Sequence, residues 1–271
     1  MSSCTSTKQC QPQIVHFCAA VLLIPGFALA QQPFYTDDAD VTARGKFHFE
    51  FSNQYSLLQR SAVPNLRQNA GVFQLNYGVL EGLEIGVDSP LLTVFNVRGT
   101  SPLTAVGNGD TNLTLKWNFH RENGRAPALT VSCAVEAPTG NTARQLGSGV
   151  MDIGFNTIAQ KHLGEKNVLR VNNGLILSGN TLTGVVGLKA QGLVYSSGAS
   201  ITRVLTHRLL LGMEINGAVA QTSDLGKAAL QTQAGGKYTL RENLTLDFGF
   251  LVGRFAGSPR LGLQVGFSKD F

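Results

Sequence analysis

One periodicity constrains this chain more than any other feature. From Gly45 to Phe271, apolar and polar residues alternate in one segment after another, with turn-forming residues between them. Successive side chains of a β-strand point to opposite faces, so a period of two predicts strands and argues against helices. Phe47, Phe49 and Phe51 stand against His48, Glu50 and Ser52, and Phe73, Leu75, Tyr77 and Val79 against Gln74, Asn76 and Gly78. Leu83, Ile85 and Val87 oppose Glu84 and Asp88, and Leu113, Leu115, Trp117 and Phe119 oppose Asn112, Thr114, Lys116 and Asn118. Further copies lie at 129–136, 153–156, 169–177, 209–216, 231–237, 244–250 and 261–268, while 193–204, rich in Ser and Gly, carries the weakest register. The reading is about twelve strands.

The connections alternate in length. Short ones fall at 80–82, 120–126, 162–166, 206–208 and 241–243; longer, Gly/Ser/Thr/Pro-rich ones fall at 58–67, 96–109, 138–148, 179–190, 220–227 and 256–260. Outer-membrane barrels have this pattern, with an even strand number, short turns at the periplasmic side and long loops outside. A soluble sandwich also alternates, but its polar face would be rich in Lys and Glu. Here that face is Asn, Gln, Thr, Ser and Gly, in a chain that is 14% charged and 43% hydrophobic. The fold class predicted is therefore all-β: an antiparallel up-and-down transmembrane β-barrel over residues 45–271, ending on the alternating strand that closes with Phe271, which reads as an assembly signal.

Residues 1–30 carry one charged side chain, Lys8, then an apolar run that ends Ala28-Leu29-Ala30. This predicts a secretory signal peptide cleaved after Ala30 and removing Cys4, Cys10 and Cys18, so that Cys133 is the one cysteine left. Residues 31–44 follow as a periplasmic N-terminal segment. The localisation implied is the outer membrane of a Gram-negative-type bacterium. A formal charge of +5 without any Lys/Arg-rich run gives no argument for nucleic acid.

Parity places a set of polar residues on the inward face: His48, Glu50, Gln74, Asn76, Glu84, Asp88, Lys116, Glu136, Asp152, Arg170, Glu214, Lys237 and Asp247. Seven acids meet three bases, which predicts pairing, because unpaired charge in a low-dielectric tube is costly. Two readings stay open: a polar path for small-molecule solutes, or a plug of paired charges. Asp37 and Asp38 would either order the terminus or plug the lumen from below. Arg60, Arg67, Arg98, Arg144, Lys189, Lys227, Arg254 and Arg260 mark the long-loop end and suit the phosphates of outer-membrane lipid and lipopolysaccharide. No cofactor is implied. The histidines show no metal-ligand spacing, the acids Asp37, Asp38 and Asp40 lack the rest of a calcium loop, and a catalytic constellation is missing beyond His48 and Ser52, so neither metal nor enzyme is expected.

Two elements carry a family resemblance. Pro33-Phe34-Tyr35-Thr36-Asp37-Asp38, followed by Gly45 and the aromatic-Glu strand Phe47-His48-Phe49-Glu50, resembles the start of bacterial outer-membrane "transporter" barrels similar to the MetA-pathway of phenol degradation proteins. Glu136-Ala137-Pro138-Thr139-Gly140 resembles a second shared strand ending. The resemblance makes Pro33, Thr36, Asp37 and Asp38 the family's N-terminal motif and implies a channel for hydrophobic or aromatic compounds, with no catalytic residues to carry over. The expectation is a monomeric channel for passive uptake of small solutes, assembled by the barrel assembly machinery; the alternative is a non-conducting structural or adhesion barrel.

Overall fold

A computed structural model describes residues 33–62, 65–99, 101–177, 192–220, 228–255 and 257–271. The signal-peptide reading of residues 1–30 and the loop cations Lys189 and Lys227 lie outside them. Among the described residues thirteen strands run in chain order: β1 (Phe47–Leu57), β2 (Asn65–Leu80), β3 (Leu83–Asn96), β4 (Thr104–Asn108), β5 (Thr111–His120), β6 (Ala128–Ala137), β7 (Asp152–Leu163), β8 (Asn167–Leu177), β9 (Leu193–Val204), β10 (Leu209–Ala220), β11 (Ala228–Arg241), β12 (Leu244–Arg254) and β13 (Leu261–Asp270). Every neighbouring pair is antiparallel, and β1 pairs with both β2 and β13, which closes the ring. Closure leaves no edge strand among the described residues.

β4 and β5 are one barrel strand broken by a bulge, so the ring has twelve members. Leu91 pairs with Asn108 and Asp88 with Asn112, leaving Ser89 and Pro90 opposite Gly109, Asp110 and Thr111. Pro90 has no N–H to give the ladder, and its carbonyl accepts instead from the Gly109 N–H at 2.8 Å. This corrects the sequence reading, which left 96–109 as loop. Thr104–Asn108 is too short and too uniformly small or apolar for its alternation to stand out.

The exposed and buried sides are inverted relative to a soluble protein. Leu113, Leu115, Trp117, Met213, Leu263 and Val265 all point outward and are about half exposed or more, whereas the buried side chains are mostly polar and include Glu50, Lys116, Gln160, Glu214 and Gln233. Such an outer face costs free energy in water at about 25 cal/mol per Å² of apolar surface and is satisfied by lipid. Strands of 10 to 16 residues, leaving aside the short β4, are long enough to cross a bilayer at a tilt. The ring is sealed at its seam by His48 opposite Asp270 through Leu57 opposite Leu261, and by reciprocal backbone bonds between Phe47 and Phe271 at 3.3 and 2.9 Å.

Candidate functional site: a lumen filled from the turn end

The lumen contains protein. Residues 33–44 enter at the short-turn end, where Arg44 bridges to Gly78, and continue along the inner wall. The crossing is so close that a Cβ on Gly78 would sit 2.2 Å from the Ala43 carbonyl oxygen; one on Gly212 would sit 2.9 Å from the Phe34 ring. Only residues without a side chain leave that room. Phe34, Thr36, Asp38 and Ala39 are buried there.

The segment touches strands on opposite sides of the ring. The Thr42 N–H donates to Glu84 of β3 at 2.6 Å, and Asn118 of β5 and Thr130 of β6 both donate to the Ala39 carbonyl at 2.7 Å. Gln160 of β7 donates to Asp40 at 3.0 Å. Lys116, 1% exposed, pairs with Asp37 at 2.9 Å and Asp38 at 3.3 Å. Farther along, one carboxylate takes three donors from the segment, the Tyr35 N–H (3.0 Å), the Thr36 N–H (2.8 Å) and the Thr36 hydroxyl (2.7 Å) on Glu214, beside a fourth from Asn216 of its own strand at 3.1 Å. Gln233 donates to the Pro33 carbonyl, and the Tyr35 hydroxyl donates to Gln54. Of the two roles left open for Asp37 and Asp38, these contacts are those of a plug.

The thirteen inward residues divide by partner. Glu84, Lys116 and Glu214 engage the segment. Arg170 donates to Gln160 at 2.8 Å and Thr202 at 3.2 Å. His48 lies 2.7 Å from Asp270 and 3.6 Å from Glu50, not in a catalytic pairing with Ser52. Gln74 donates to Asn76 at 3.2 Å. Asp88 accepts from Asn112 at 3.0 Å, Lys237 faces Asp247 in register, and Glu136 faces Asp152. Within this set His48 lies within 4 Å of Glu50, whereas Lys116 pairs not with a neighbouring strand but with the plug. Asp37 and Asp38 share Lys116 while Asp40 turns to Gln160, and among the described residues no group of His, Cys, Asp and Glu converges to hold a metal ion.

A second element narrows the long-loop end. The connection after β6 folds back so that Leu146 packs on Leu92, Val94 and Ala105, the inward apolar residues of the β3–β4 extension. Asp110, in the β4–β5 bulge, latches it: its two carboxylate oxygens accept from the Gly140 N–H at 2.8 Å and the Ser148 N–H at 2.7 Å. Neither Asp110 nor Leu146 was singled out by sequence reasoning, because neither lies in an alternating run. At the turn end a cavity of about 390 Å³ remains between the segment and the wall, lined by Asp40, Thr42, Arg44, Asn118, Gln160 and His162. Glu122 lies on its border. Burial would raise this carboxyl, but hydrogen bonds from Lys161 (2.8 Å) and His162 (2.7 Å) dominate and hold it down at about 2.

These features define the class: a twelve-strand barrel of the outer-membrane type with an internal N-terminal plug. The chain is similar in fold to the COG4313 outer membrane channel from Pseudomonas putida F1, with a TM-score of 0.68 and 17% identity over 86% of this chain and 98% of that one. It is also similar to the KdgM porin (TM-score 0.55, 9% identity, 83% of this chain and 99% of that one) and the NanC porin (0.55, 8%, 82% and 98%). No family model and no curated protein matches the chain.

Proposed function

We propose that this protein is an outer-membrane channel for small solutes, gated by displacement of residues 33–44. The observation that carries the reading is the manner in which the plug is held. Its contacts to the wall are mostly hydrogen bonds and ion pairs with polar residues, which water or a solute can replace, and its apolar packing is small, Ala39 against Ala128 and Ile158. The fold likeness to a channel and two porins supports this reading. Hydrophobic or aromatic solutes are the substrate class proposed, on the resemblance of residues 33–40 and 45–50. Export by the signal peptide, insertion by the barrel assembly machinery with Phe271 as signal, a monomeric state and contact of Arg67 and Arg98 with lipopolysaccharide phosphates belong to the same proposal. Arg67 and Arg98 line a rim cavity of about 340 Å³ with Phe95.

The second reading, a non-conducting envelope barrel, draws on the same plug, since it fills the lumen. Single-channel recording of residues 31–271, refolded and verified by heat-modifiable gel migration, separates the two. A channel gives discrete steps, and Lys116→Met, which loosens the plug, raises their open probability. Silence from both folded proteins favours the structural barrel. Competition of ion current by phenol or toluene tests the solute class.

A further inference from the structure

Strand register reveals an arrangement of charge that no single strand shows. Glu50 of β1 is paired with Gln74 of β2, Gln74 with Asp88 of β3, Asp88 with Asn112 of β5, Asn112 with Glu136 of β6, and Glu136 with Asp152 of β7. Six residues therefore stand side by side in one row across six strands, four of them carboxylates and two amides. Neighbouring strands lie about 4.8 Å apart, so the row is roughly 24 Å long. It is also a ramp. Glu50 is the fourth residue of β1 from the turn end, whereas Asp152 is the first residue of β7 at the long-loop end.

Three of the row's carboxylates lack a close lysine or arginine. Among the described residues no lysine or arginine lies within 4 Å of Glu50, Asp88 or Glu136; His48 is 3.6 Å from Glu50, and Lys237 acts on Glu50 only from a distance. Glu50 is 2% exposed, and neither of its carboxylate oxygens has a hydrogen-bond partner in the protein. Asp247, whose charge interacts with that of Glu50, is 3% exposed with both oxygens likewise unpartnered. A buried acceptor without a donor is costly, and more so when charged, unless a mobile partner supplies the donor or the countercharge. The three inward bases are committed elsewhere: Lys116 to the plug, Arg170 to Gln160 and Thr202, and Lys237 to the side of Asp247.

We infer that this row is a recognition path for positively charged solutes, a line of weak cation sites leading from the long-loop mouth along β7, β6, β5, β3, β2 and β1 to Glu50 and Asp247. The oxygens are spread along the wall and do not converge as a chelate would, so ions are passed from site to site and not held. The inference rests on the channel reading and gives it a sign: small inorganic cations and organic ammonium solutes are preferred over anions, and a permeating aromatic solute would be accompanied or steered by cationic groups.

The test is the reversal potential of the refolded chain, residues 31–271, under a KCl gradient. The wild type is expected to be cation-selective by roughly fivefold or more, and the variant E50Q/D88N/E136Q, folded by heat-modifiable migration, to lose at least about threefold of that ratio. A wild type that is unselective or anion-selective overturns the inference, and so does a folded triple variant with an unchanged ratio. Should that variant not fold, the sign for the wild type alone decides. Should the folded wild type be silent, the channel reading fails separately, and calorimetric titration of the barrel with CaCl2 decides the path: saturable heat near about 1 mM supports it, and no heat overturns it.

Discussion

The inner wall holds two populations of charge that parity alone cannot tell apart. Towards β3, β5 and β10, Glu84, Lys116 and Glu214 each meet a group of residues 33–44 at 2.5 to 3.3 Å. Along the climbing row, Glu50 and Glu136 face the lumen without a lysine or arginine among the described residues. Both sets come from the same kind of strand and the same side of it. What separates them is a segment that is not part of the wall, so the lumen's electrostatics are decided by a contact between residues far apart in the chain. The plugged side is tied to residues 33–44, and on the proposed reading the row is left to what passes.

The largest expected effect lies on the plugged side. Lys116→Met removes the cation shared by Asp37 and Asp38 and leaves the buried Asp38 and the partly buried Asp37 without it. Breaking a buried pair costs about 3–5 kcal/mol, which here is a loss of plug docking and not of the ring, whose backbone ladder is untouched. Hydrogen exchange of the amides of residues 35–42 should accelerate by two orders of magnitude or more while the β1–β13 seam stays protected. Equal acceleration at both places would mean that the plug and barrel unfold together and that the two populations are not separable. Glu214→Gln is the milder version: it keeps an acceptor for Thr36 but discards the charge that the segment's three donors and Asn216 share, at about 2 kcal/mol. The exchange of Tyr35 and Thr36 should then rise alone, with Asp37 and Asp38 still held by Lys116.

How much of this was legible follows from the range of each interaction. Outward positions such as Phe73, Leu115 and Phe267, and inward ones such as Glu50 and Asp247, follow from nearest-neighbour alternation, which a one-dimensional reading captures. The short connections were readable for the same reason. The plug was readable only as one of two roles left open for Asp37 and Asp38, because Pro33–Arg44 has no period, and its bonds span 79 residues to Lys116 and 200 to Gln233. Two signals pointed towards it: glycines at inward positions such as Gly78 and Gly212, and acids at 37 and 38 with no local cation. The row of carboxylates was hidden in another way. Each of its carboxylates was identified as inward, but their alignment depends on how far each strand is staggered against the next, and Pro90 and the Gly109–Thr111 bulge set part of that stagger.

At the long-loop end the same contrast is probed by Asp110→Asn. The amide keeps one acceptor and loses the other, so either Gly140 or Ser148 gives up its bond, at about 1 kcal/mol. Leu146 stays packed on Leu92 and Val94, so the expected change is local: faster exchange at Gly140 or Ser148 and an unchanged melting temperature. A lowered melting temperature would show that the latch supports the barrel and not only its own loop.

The smallest effect is set by pH at the turn end. Glu122 titrates near about 2 in the folded protein against an ordinary 4.5, because Lys161 and His162 stabilise its ionised form more than burial opposes it. A folded value below the unfolded one means that the ionised form is favoured by folding. That contribution is complete above about pH 4.5, declines as pH falls, and is gone below about pH 2. With the His162 side chain half exposed and the Lys161 side chain a quarter exposed, it should be about 0.5 kcal/mol, as for other solvent-screened pairs. Glu122→Gln should therefore be slightly less stable than the wild type at pH 6 and equal to it at pH 2, with the difference shrinking in high salt. The variant should leave the exchange of residues 35–42 unchanged, because Glu122 borders the plug's entrance without bonding to it. A pH-independent difference, or an effect on those amides, would extend the plugged region to the turn and move the boundary between the two populations.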